Sequence, residues 1–396
     1  MNKIIMKLLA ILSLFFLLPE LNTPDFEEQL IDSNVAIGYG IVTGDVDGDG
    51  KLDLILADKK QFVWYRNGDW KRFVLAENLT ERDNVCITAR DIDGDGKVEI
   101  AVGGQWNPGE TSDESQSGSV HYLIRPSDPT QLWTPVQLPH EPTVHRMYWV
   151  KTGKSNYQLV VLPLHGRGNK GGEGAGVKVI SYEKPKDPKS PWKTHLVDES
   201  MHLTHNMTAK ELGIEDTETI FIGGKEGVKS FSFKDGAWDA TMNQESSFKN
   251  RSFGELSLAE ISESGMLLAA VEPMHGNQVT VYLQPPGKTE INQLSRIILD
   301  ESLNEGHGIV TGDFLGNGTT QIVSGWRVPN KAGEVGIKLY NPLDDSYSEF
   351  KTHWIDQSGM ACESLTAADL NNDGKLDIIA AGRATNNLKI YWNRRK

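Results

Sequence analysis

The sequence has few cysteines, no excess of positive charge and no apolar run long enough to cross a membrane comfortably. Its two cysteines, Cys86 and Cys362, fall in repeat units that are not neighbours, so we expect both to be buried and unpaired. The chain carries 40 basic and 54 acidic residues, for a formal charge of −14. Because phosphate binding needs a basic face, this balance disfavours a nucleic-acid partner and permits neutral or cationic ligands.

The N-terminus has the order of a secretory signal. Lys3 and Lys7 precede a short apolar run at 8–18. We therefore predict a signal peptide at 1–22, a secreted or periplasmic protein and no other membrane contact. An uncleaved anchor stays open, because no small-x-small cleavage site precedes Pro24.

No linker or composition shift divides residues 23–396, but the segment repeats itself at a period typical of solenoids and propellers. Each unit has an apolar strand, a turn and a second apolar strand, and seven such pairs can be aligned. The clearest copies are GIVTGDVDGDGKLDLILAD, CITARDIDGDGKVEIAVGG, GIVTGDFLGNGTTQIVSGW and SLTAADLNNDGKLDIIAAG. The pattern predicts one all-β domain, a seven-bladed propeller over 23–396.

A second marker is an alternating strand that ends in an acid, such as WKTHLVDE and FKTHWIDQ. One copy, FEEQLID at 26–32, precedes the first unit, whereas the last unit ends at YWNRR without such a strand. We predict that the N-terminal strand completes the last blade and closes the ring, which removes two unpaired sheet edges.

Three of the turns carry oxygen ligands at alternating positions around a glycine, the arrangement that surrounds a hard cation such as Ca²⁺. They resemble the calcium loops of FG-GAP or VCBS propellers, which implies a structural Ca²⁺. A solvated Asp/Gly hairpin without metal is the alternative. The expected ligands are Asp45, Asp47, Asp49 and Asp53; Asp91, Asp93, Asp95 and Glu99; and Asp369, Asn371, Asp373 and Asp377.

The residue six places before the first acid of each turn should open the innermost strand, beside the axis. At this composition about 0.2 histidines are expected by chance in seven such positions, yet three occur. We call these the hub positions, and we expect the face opposite the acidic turns to carry function. They are Tyr39, Val85, His145, His205, Glu255, His307 and Glu363.

The hub offers the ligands of a catalytic zinc or another divalent metal, for which we expect His145, His205, His307 and Glu363. A metal of this kind acidifies a C–H bond next to a carbonyl. His165 or an unligated hub histidine such as His145 could then accept the proton, and Tyr39, Glu255 or Glu363 could protonate the leaving oxygen. Substrate contacts are expected from Trp106, Arg146, Arg167, Lys225, His275, Arg327 and Arg383.

Four segments, EPTVHRMYW, LPLHGRGNKGGEGAGVKV, WKTHLVDESMHLTHN and EGHGIVTGDFLGNG, resemble the β-propeller domain of the aldos-2-ulose dehydratases. The resemblance implies dehydration of a keto sugar such as 1,5-anhydrofructose and a zinc ion near His145, His205 and His307. The sequence ends at Lys396 without the cupin domains of the fungal enzymes, so an isomerase step attributed to them is in doubt. The pair His145 and His165 also resembles that of propeller-fold ulvan lyases.

These features favour a carbohydrate lyase that performs β-elimination. Three alternatives stay open: an ulvan-type polysaccharide lyase, a non-enzymatic FG-GAP propeller that binds a glycan or protein, and a quinone-dependent sugar dehydrogenase. The dehydrogenase needs a flat cofactor platform, for which Trp106 is the obvious residue.

Overall fold

A computed structural model of the protein describes residues 23–212, 216–241, 248–262, 265–284 and 294–395. The predicted signal peptide at 1–22 lies outside these residues and stays a prediction. Within the described ranges the chain forms 28 strands and no helix, and therefore no helix able to cross a membrane. The strands form seven four-stranded antiparallel sheets, which confirms the predicted all-β, seven-bladed propeller.

The first four blades follow the chain without interruption, each in the order strand a, b, c, d from the axis outward. Strand β1 (Phe26–Asp32) precedes them. Blade 1 contains β2 (Gly40–Gly44), β3 (Asp53–Ala57), β4 (Gln61–Tyr65) and β5 (Arg72–Glu77), and blade 2 contains β6 (Cys86–Arg90), β7 (Glu99–Gly103), β8 (Val120–Ile124) and β9 (Thr134–Leu138). Blade 3 contains β10 (Val144–Gly153), β11 (Asn156–Pro163), β12 (Val179–Glu183) and β13 (Lys193–Asp198), and blade 4 contains β14 (Thr204–Glu211), β15 (Glu218–Gly224), β16 (Gly227–Lys234) and β17 (Ala237–Ala240).

The last three blades lead to the closure of the ring. Blade 5 contains β18 (Leu256–Ser262), β19 (Gly265–Glu272), β20 (Gln278–Leu283) and β21 (Ser295–Asp300). Blade 6 contains β22 (Gly306–Gly312), β23 (Gln321–Trp326), β24 (Gly336–Pro342) and β25 (Phe350–Gln357), and blade 7 contains β26 (Cys362–Ala368), β27 (Asp377–Gly382) and β28 (Asn387–Asn393). Strand β1 pairs antiparallel with β28, from Phe26 opposite Asn393, and so supplies the fourth strand of blade 7. The predicted closing strand is confirmed.

The strands a of consecutive blades contact one another in a closed circle, β2 to β6, β10, β14, β18, β22, β26 and back to β2. The hydrophobic core lies between the faces of adjacent sheets. Trp64 and Trp326, for example, are fully buried in two of these layers. Cys86 and Cys362 are both free and buried, as predicted. Because every blade shares its core with both neighbours, the ring holds the axial residues at fixed positions.

In several blades, the acidic residue at the end of strand d forms hydrogen bonds or ion pairs with the next blade. The hydroxyl of Tyr340, on strand c of blade 6, donates to Asp300 on strand d of blade 5 at 2.9 Å, and Lys338 Nζ lies 2.8 Å from the same carboxylate. Tyr65 and Asp32 form the equivalent pair between blades 1 and 7 at 2.7 Å. The acid recognised in the sequence marker therefore couples neighbouring blades.

Candidate active site at the propeller axis

Four of the predicted hub residues occupy irregularities in strand a. The pairing of strand a with strand b skips one residue in blades 3, 4, 6 and 7, and the skipped residue is the hub residue in each case. A β-bulge of this kind redirects a side chain without ending the sheet. It therefore brings four polar side chains to the axis: His145, His205, His307 and Glu363.

A fourth histidine joins the three from the hub. His275 follows strand b of blade 5 in a left-handed backbone conformation with φ of 52°, which a non-glycine residue rarely adopts. Its ring centroid lies 4.4 Å from that of His205 and 5.0 Å from that of His307. The ring of His145 lies 4.7 Å from His205 on the other side. The axis therefore carries a compact cluster of four imidazoles.

Contacts with the next blade orient the Nδ1 atoms of the hub histidines. Nδ1 of His145 donates to the carbonyl of His205 at 2.7 Å, and Nδ1 of His307 donates to the carbonyl of Glu363 at 2.6 Å. His205 Nδ1 lies 3.4 Å from Glu255 Oε1. With Nδ1 directed at the neighbouring blade, the Nε2 lone pair of His307 is free for a ligand. A carbonyl or carboxylate on the far nitrogen is the usual support of a metal-binding histidine.

Burial keeps these imidazoles neutral. It lowers the pKa of His145, His205 and His307 well below the usual imidazole range, and the positive charge of nearby arginines lowers it further. The pKa of His275 falls to about 4 for the same two reasons, burial and then the charge of Arg327. Neutral imidazoles are the form that binds a metal.

Three of the four histidines fit a metal ion. His205, His275 and His307 each offer a ligand atom within 4.8 Å of those of the other two, and His205 Nε2 lies 2.7 Å from His275 Nε2. Three histidines with a further position left open are a known catalytic zinc ligand set. His275, expected at the substrate, thus lies with His205 and His307, whereas His145 is outside this group, and the metal itself stays a prediction.

Glu363, the remaining expected ligand, is engaged by arginines. Its carboxylate accepts from Arg327 at 3.0 and 3.1 Å and from Arg383 at 3.1 Å, and it is not part of the three-histidine group. Arg327 also binds Glu305 at 2.8 Å. Glu363 is therefore the centre of a buried charge cluster beside the histidines, and its expected role as a metal ligand stays a prediction.

Glu255 lies next to Nδ1 of His205, and its environment differs from that of Glu363. One of its oxygens accepts from Asn206 Nδ2, whereas Oε1 has no hydrogen-bond partner and lies 3.6 Å from Arg146. Burial raises the pKa of this carboxyl group. The carboxylate is therefore a stronger base than an exposed glutamate.

A cavity of about 280 Å³ lies inside the ring of inner strands, next to the hub. This volume is near the lower limit for small-molecule sites and suits a ligand of monosaccharide size. Its polar lining includes Tyr39, Arg146, Asn206, Glu255, His307 and Glu363. Candidate acids, bases and one of the three histidines therefore face a common space.

Tyr39 keeps its proton in this setting. Burial raises the pKa of the phenol, and the Asp83 carboxylate, which accepts from the hydroxyl at 3.3 Å, raises it further. The Arg383 guanidinium lies 5.8 Å from the ring centroid. Tyr39 is therefore a hydrogen-bond donor at the cavity wall.

The expected substrate-binding rim is largely engaged in internal contacts. Trp106 stacks on His145, with ring centroids 5.1 Å apart, and Arg167 joins three loops through Glu114 at 2.7 Å and Glu141 at 3.0 Å. Lys225 Nζ donates to a backbone carbonyl, that of Gly171, at 3.2 Å. Arg167 and Lys225 thus hold loops in place around the mouth.

His165 does not join the metal-type group. It follows strand b of blade 3 and is half buried, and its Nδ1 is buried without a hydrogen-bond partner. Burial lowers its pKa. The pairing of His145 with His165 as a catalytic dyad gains no support from these contacts.

The acidic turns lie on the opposite face. The carboxylates of Asp45, Asp47 and Asp53 gather within 4.8 Å of one another, as do those of Asp91, Asp93 and Glu99. Two of the predicted ligands face lysines instead: Asp49 lies 3.1 Å from Lys51, and Asp95 lies 3.7 Å from Lys97. In the third turn Asp373 likewise lies 3.4 Å from Lys375, while Asp369 and Asn371 accept from backbone N–H groups.

The last acid of each turn also closes the turn. Asp53 accepts from the N–H of Val46 at 2.9 Å, and Asp377 accepts from that of Leu370 at 3.1 Å. In the degenerate turn of blade 6 the amide oxygen of Gln321 accepts from the N–H of Leu315 at 3.0 Å, one residue further along the turn than the donor in the acidic copies. A neutral amide can therefore close such a turn, so turn closure alone does not account for the carboxylate at Asp53.

Residues 117–285 match the family described as aldos-2-ulose dehydratase, β-propeller domain, and residues 38–102 match an FG-GAP-like repeat. An aldos-2-ulose dehydratase of Phanerodontia chrysosporium is 22% identical over 366 residues, which cover 85% of this chain. The same alignment covers 39% of that protein, so the chain spans well under half of its length.

Two crystal structures of BBS1N in complex with ARL6DN, soaked with mercury and with lead, contain chains that match with TM-scores of 0.55 and 0.56. The sequence identities are 14% and 13%, and each match covers 94% of this chain and 97% of the other. At these identities they support the fold alone. The chain is thus a seven-bladed propeller with FG-GAP-like repeats that is similar to the propeller domain of the aldos-2-ulose dehydratases.

Proposed function

We propose that this chain is a carbohydrate lyase that eliminates water or an alkoxide from a keto sugar of the aldos-2-ulose or anhydrofructose type. The observation that carries the proposal is the group of three buried, neutral imidazoles beside the axial cavity, in a chain similar to a sugar dehydratase propeller. The lysine-led apolar run at the N-terminus supports a secreted or periplasmic location.

His205, His275 and His307 would hold a divalent ion such as Zn²⁺, since they supply three nitrogen donors of the right type. The ion, when bound, supplies the Lewis acidity that polarises the sugar carbonyl and acidifies the neighbouring C–H. Oε1 of Glu255 lies 3.4 Å from Nδ1 of His205 without a hydrogen bond between them, so this oxygen stays available for the reaction.

The proton acceptor in this proposal is Glu255 rather than a histidine. Nε2 of His145 accepts from Arg146 at 3.1 Å, so its lone pair is occupied, and burial makes the imidazole a weak base. Glu255 has a raised pKa, an oxygen without a hydrogen-bond partner and a place in the cavity wall. A base of this kind is suited to work near neutral pH.

The Tyr39 hydroxyl is protonated and lines the same cavity, so it could protonate the departing oxygen if it turned from Asp83 towards the substrate. The Glu363 carboxylate lines the cavity, where it offers a hydrogen-bond acceptor to a sugar hydroxyl. These residues account for binding, proton removal and leaving-group protonation in one elimination.

The pairing of charges favours a neutral sugar over a uronic acid. Four arginines near the mouth were expected to bind substrate, and each already faces a carboxylate of the protein. A substrate carboxylate would have to displace an internal ion pair, which costs more than filling a free cationic site. The ulvan-type alternative is therefore the weaker one. The arginines are Arg146, Arg167, Arg327 and Arg383.

Calcium is proposed as a structural ion of the acidic turns. Burial raises the pKa of Asp53 to about 7, and the charges of Asp47 and Asp45 add to the shift. A divalent ion would neutralise this repulsion. The two gathered carboxylate groups in blades 1 and 2 are the sites with the strongest support.

Metal analysis combined with a product assay tests the lyase proposal. The purified protein is analysed for zinc and calcium as wild type and as H205A, H275A and H307A, with H145A as the control next to the ligand group. We expect zinc to be lost in the first three variants and retained in H145A, and an ultraviolet-absorbing enone to form from a keto sugar only when zinc is present. Calcium alone in all five proteins would remove the metal from the proposal.

The second candidate is a non-enzymatic FG-GAP propeller, favoured by the FG-GAP-like match over 38–102 and the gathered acidic turns. It predicts glycan or protein binding that disappears on calcium removal and is unaffected in H205A. The lyase proposal predicts the opposite: function is lost in H205A and is less sensitive to calcium removal.

A further inference from the structure

His145 is close to the three-histidine group but does not join it. Its ring centroid lies 4.7 Å from that of His205, and the stacked ring of Trp106 covers it. Both of its nitrogens have partners: Nδ1 donates to the carbonyl of His205, and Nε2 accepts from Arg146 Nη1 at 3.1 Å. A fourth imidazole is therefore within the cluster, but its coordinating lone pair is occupied.

Two further contacts and burial hold Arg146 in this position. Nη1 also donates to the carbonyl of His145 at 3.0 Å, Nη2 lies 3.6 Å from Glu255 Oε1, and only 13% of the side chain is exposed. A guanidinium group remains protonated and can only donate hydrogen bonds. As long as Arg146 stays there, Nε2 of His145 cannot bind a cation.

We propose that Arg146 withholds His145 from the metal and so keeps the site at three protein ligands. This inference rests on the proposed metal at His205, His275 and His307. A zinc ion with four protein ligands is the closed arrangement of structural sites, whereas catalytic zinc keeps a position for the substrate. Arg146 thus acts as a positioning residue that separates the two outcomes in a cluster with four imidazoles.

The test replaces Arg146 by methionine, which has a similar length and no donor. Zn²⁺ affinity is measured by competition with a chromophoric chelator, and the coordination of Co²⁺ is read from its visible d–d bands, with excess Ca²⁺ present to occupy the acidic turns. We expect R146M to bind Zn²⁺ at least about tenfold more tightly, with Co²⁺ bands that move towards four-nitrogen coordination. R146K keeps a donor for Nε2 and is expected to stay close to wild type.

A double variant, R146M with H145N, identifies the added ligand. Asparagine can still donate to the carbonyl of His205 but has no atom at the Nε2 position, so affinity and spectrum should return to those of the wild type. Circular dichroism and thermal melting check that each variant folds. R146A is prepared in parallel as a second variant without the donor, in case R146M does not fold.

The outcomes separate this inference from the proposed function. If the wild type binds Zn²⁺ through His205, His275 and His307 but neither donor-free variant changes affinity or spectrum, the role of Arg146 is refuted and the lyase proposal is unaffected. If H145N fails to reverse a gain in R146M, His145 is not the added ligand and the inference is also refuted. If the wild type binds neither Zn²⁺ nor Co²⁺ at these histidines, the metal in the proposed function fails and the inference fails with it.

Discussion

Calcium removal should invert the pH dependence of stability. In the metal-free protein, burial raises the pKa of Asp53 to about 7 and that of Glu99 to about 7. Between pH 4 and 7 the folded protein therefore holds protons on these groups that the unfolded chain has released. By linkage, the free energy of unfolding falls as pH rises through this window.

The size of the effect follows from the pKa shifts. One pKa unit corresponds to about 1.36 kcal/mol, so each of the two carboxyl groups contributes on the order of 3 kcal/mol between pH 4 and 7. For a chain of this length the combined loss lowers the melting temperature by roughly 5–10 °C. With Ca²⁺ bound, the ion replaces the proton, and the protein should be more stable at pH 7 than at pH 4, because acid expels the ion.

Thermal melts at pH 5, 6 and 7 with EDTA and with excess Ca²⁺ measure both curves. The matched control is E99Q, because Gln321 shows within the same chain that a neutral amide can accept the turn-closing hydrogen bond. E99Q should retain that bond to Ile92, lose about half of the pH dependence in EDTA and respond less to Ca²⁺. Parallel curves in EDTA and Ca²⁺ would refute the calcium assignment, and a flat or rising curve in EDTA would refute the proposed origin of the pH dependence.

Three further predictions concern single side chains. If Glu255 is the base, E255Q should reduce kcat by a hundredfold or more and leave the zinc affinity largely unchanged. If E255Q instead lowers the zinc affinity and the zinc-loaded enzyme keeps its kcat, Glu255 only supports His205. W106A should raise KM for the sugar without changing zinc affinity, and a loss of zinc would contradict a substrate role. Y340F should lose about 1–3 kcal/mol of stability in urea unfolding, because the Tyr340 hydroxyl donates to a charged acceptor. The control Y182F should lose less, because the Tyr182 hydroxyl donates to the neutral carbonyl of Pro139.

The fold could be predicted because the repeat carries its own topology. FEEQLID shares the marker of the outer strands and has no unit before it, so its pairing with β28 could be inferred from the sequence order alone. The acidic turns could be placed for the same reason. The individual ligands in each turn could not be predicted. Lysine side chains form ion pairs with Asp49 and Asp95, and the repeat pattern does not determine where those side chains lie.

The hub positions could be found by alignment, but their roles depend on local backbone geometry. In a regular strand His145 and Arg146 would point to opposite faces, yet the bulge between Val144 and Arg146 lets the guanidinium reach the neighbouring imidazole. The pattern predicts His275 at the rim because it follows strand b, whereas the residue has a left-handed backbone and its ring lies against that of His205. Neither irregularity leaves a signal in a single sequence.

The two kinds of site occupy different parts of the ring. The three histidines of the metal-type group belong to blades 4, 5 and 6, whereas the acidic turns with intact patterns lie in blades 7, 1 and 2, on both sides of the β1–β28 closure. Asn67 in blade 1 donates to the carbonyl of Leu370 in the turn of blade 7 at 2.8 Å, and Asn393 in blade 7 donates to that of Phe314 in the turn of blade 6 at 2.8 Å. A cation that stiffens these turns therefore stabilises the closure. The inner strands contact one another around the closed ring, so a cation bound at these turns, as proposed above, would support the geometry of the hub without contacting it.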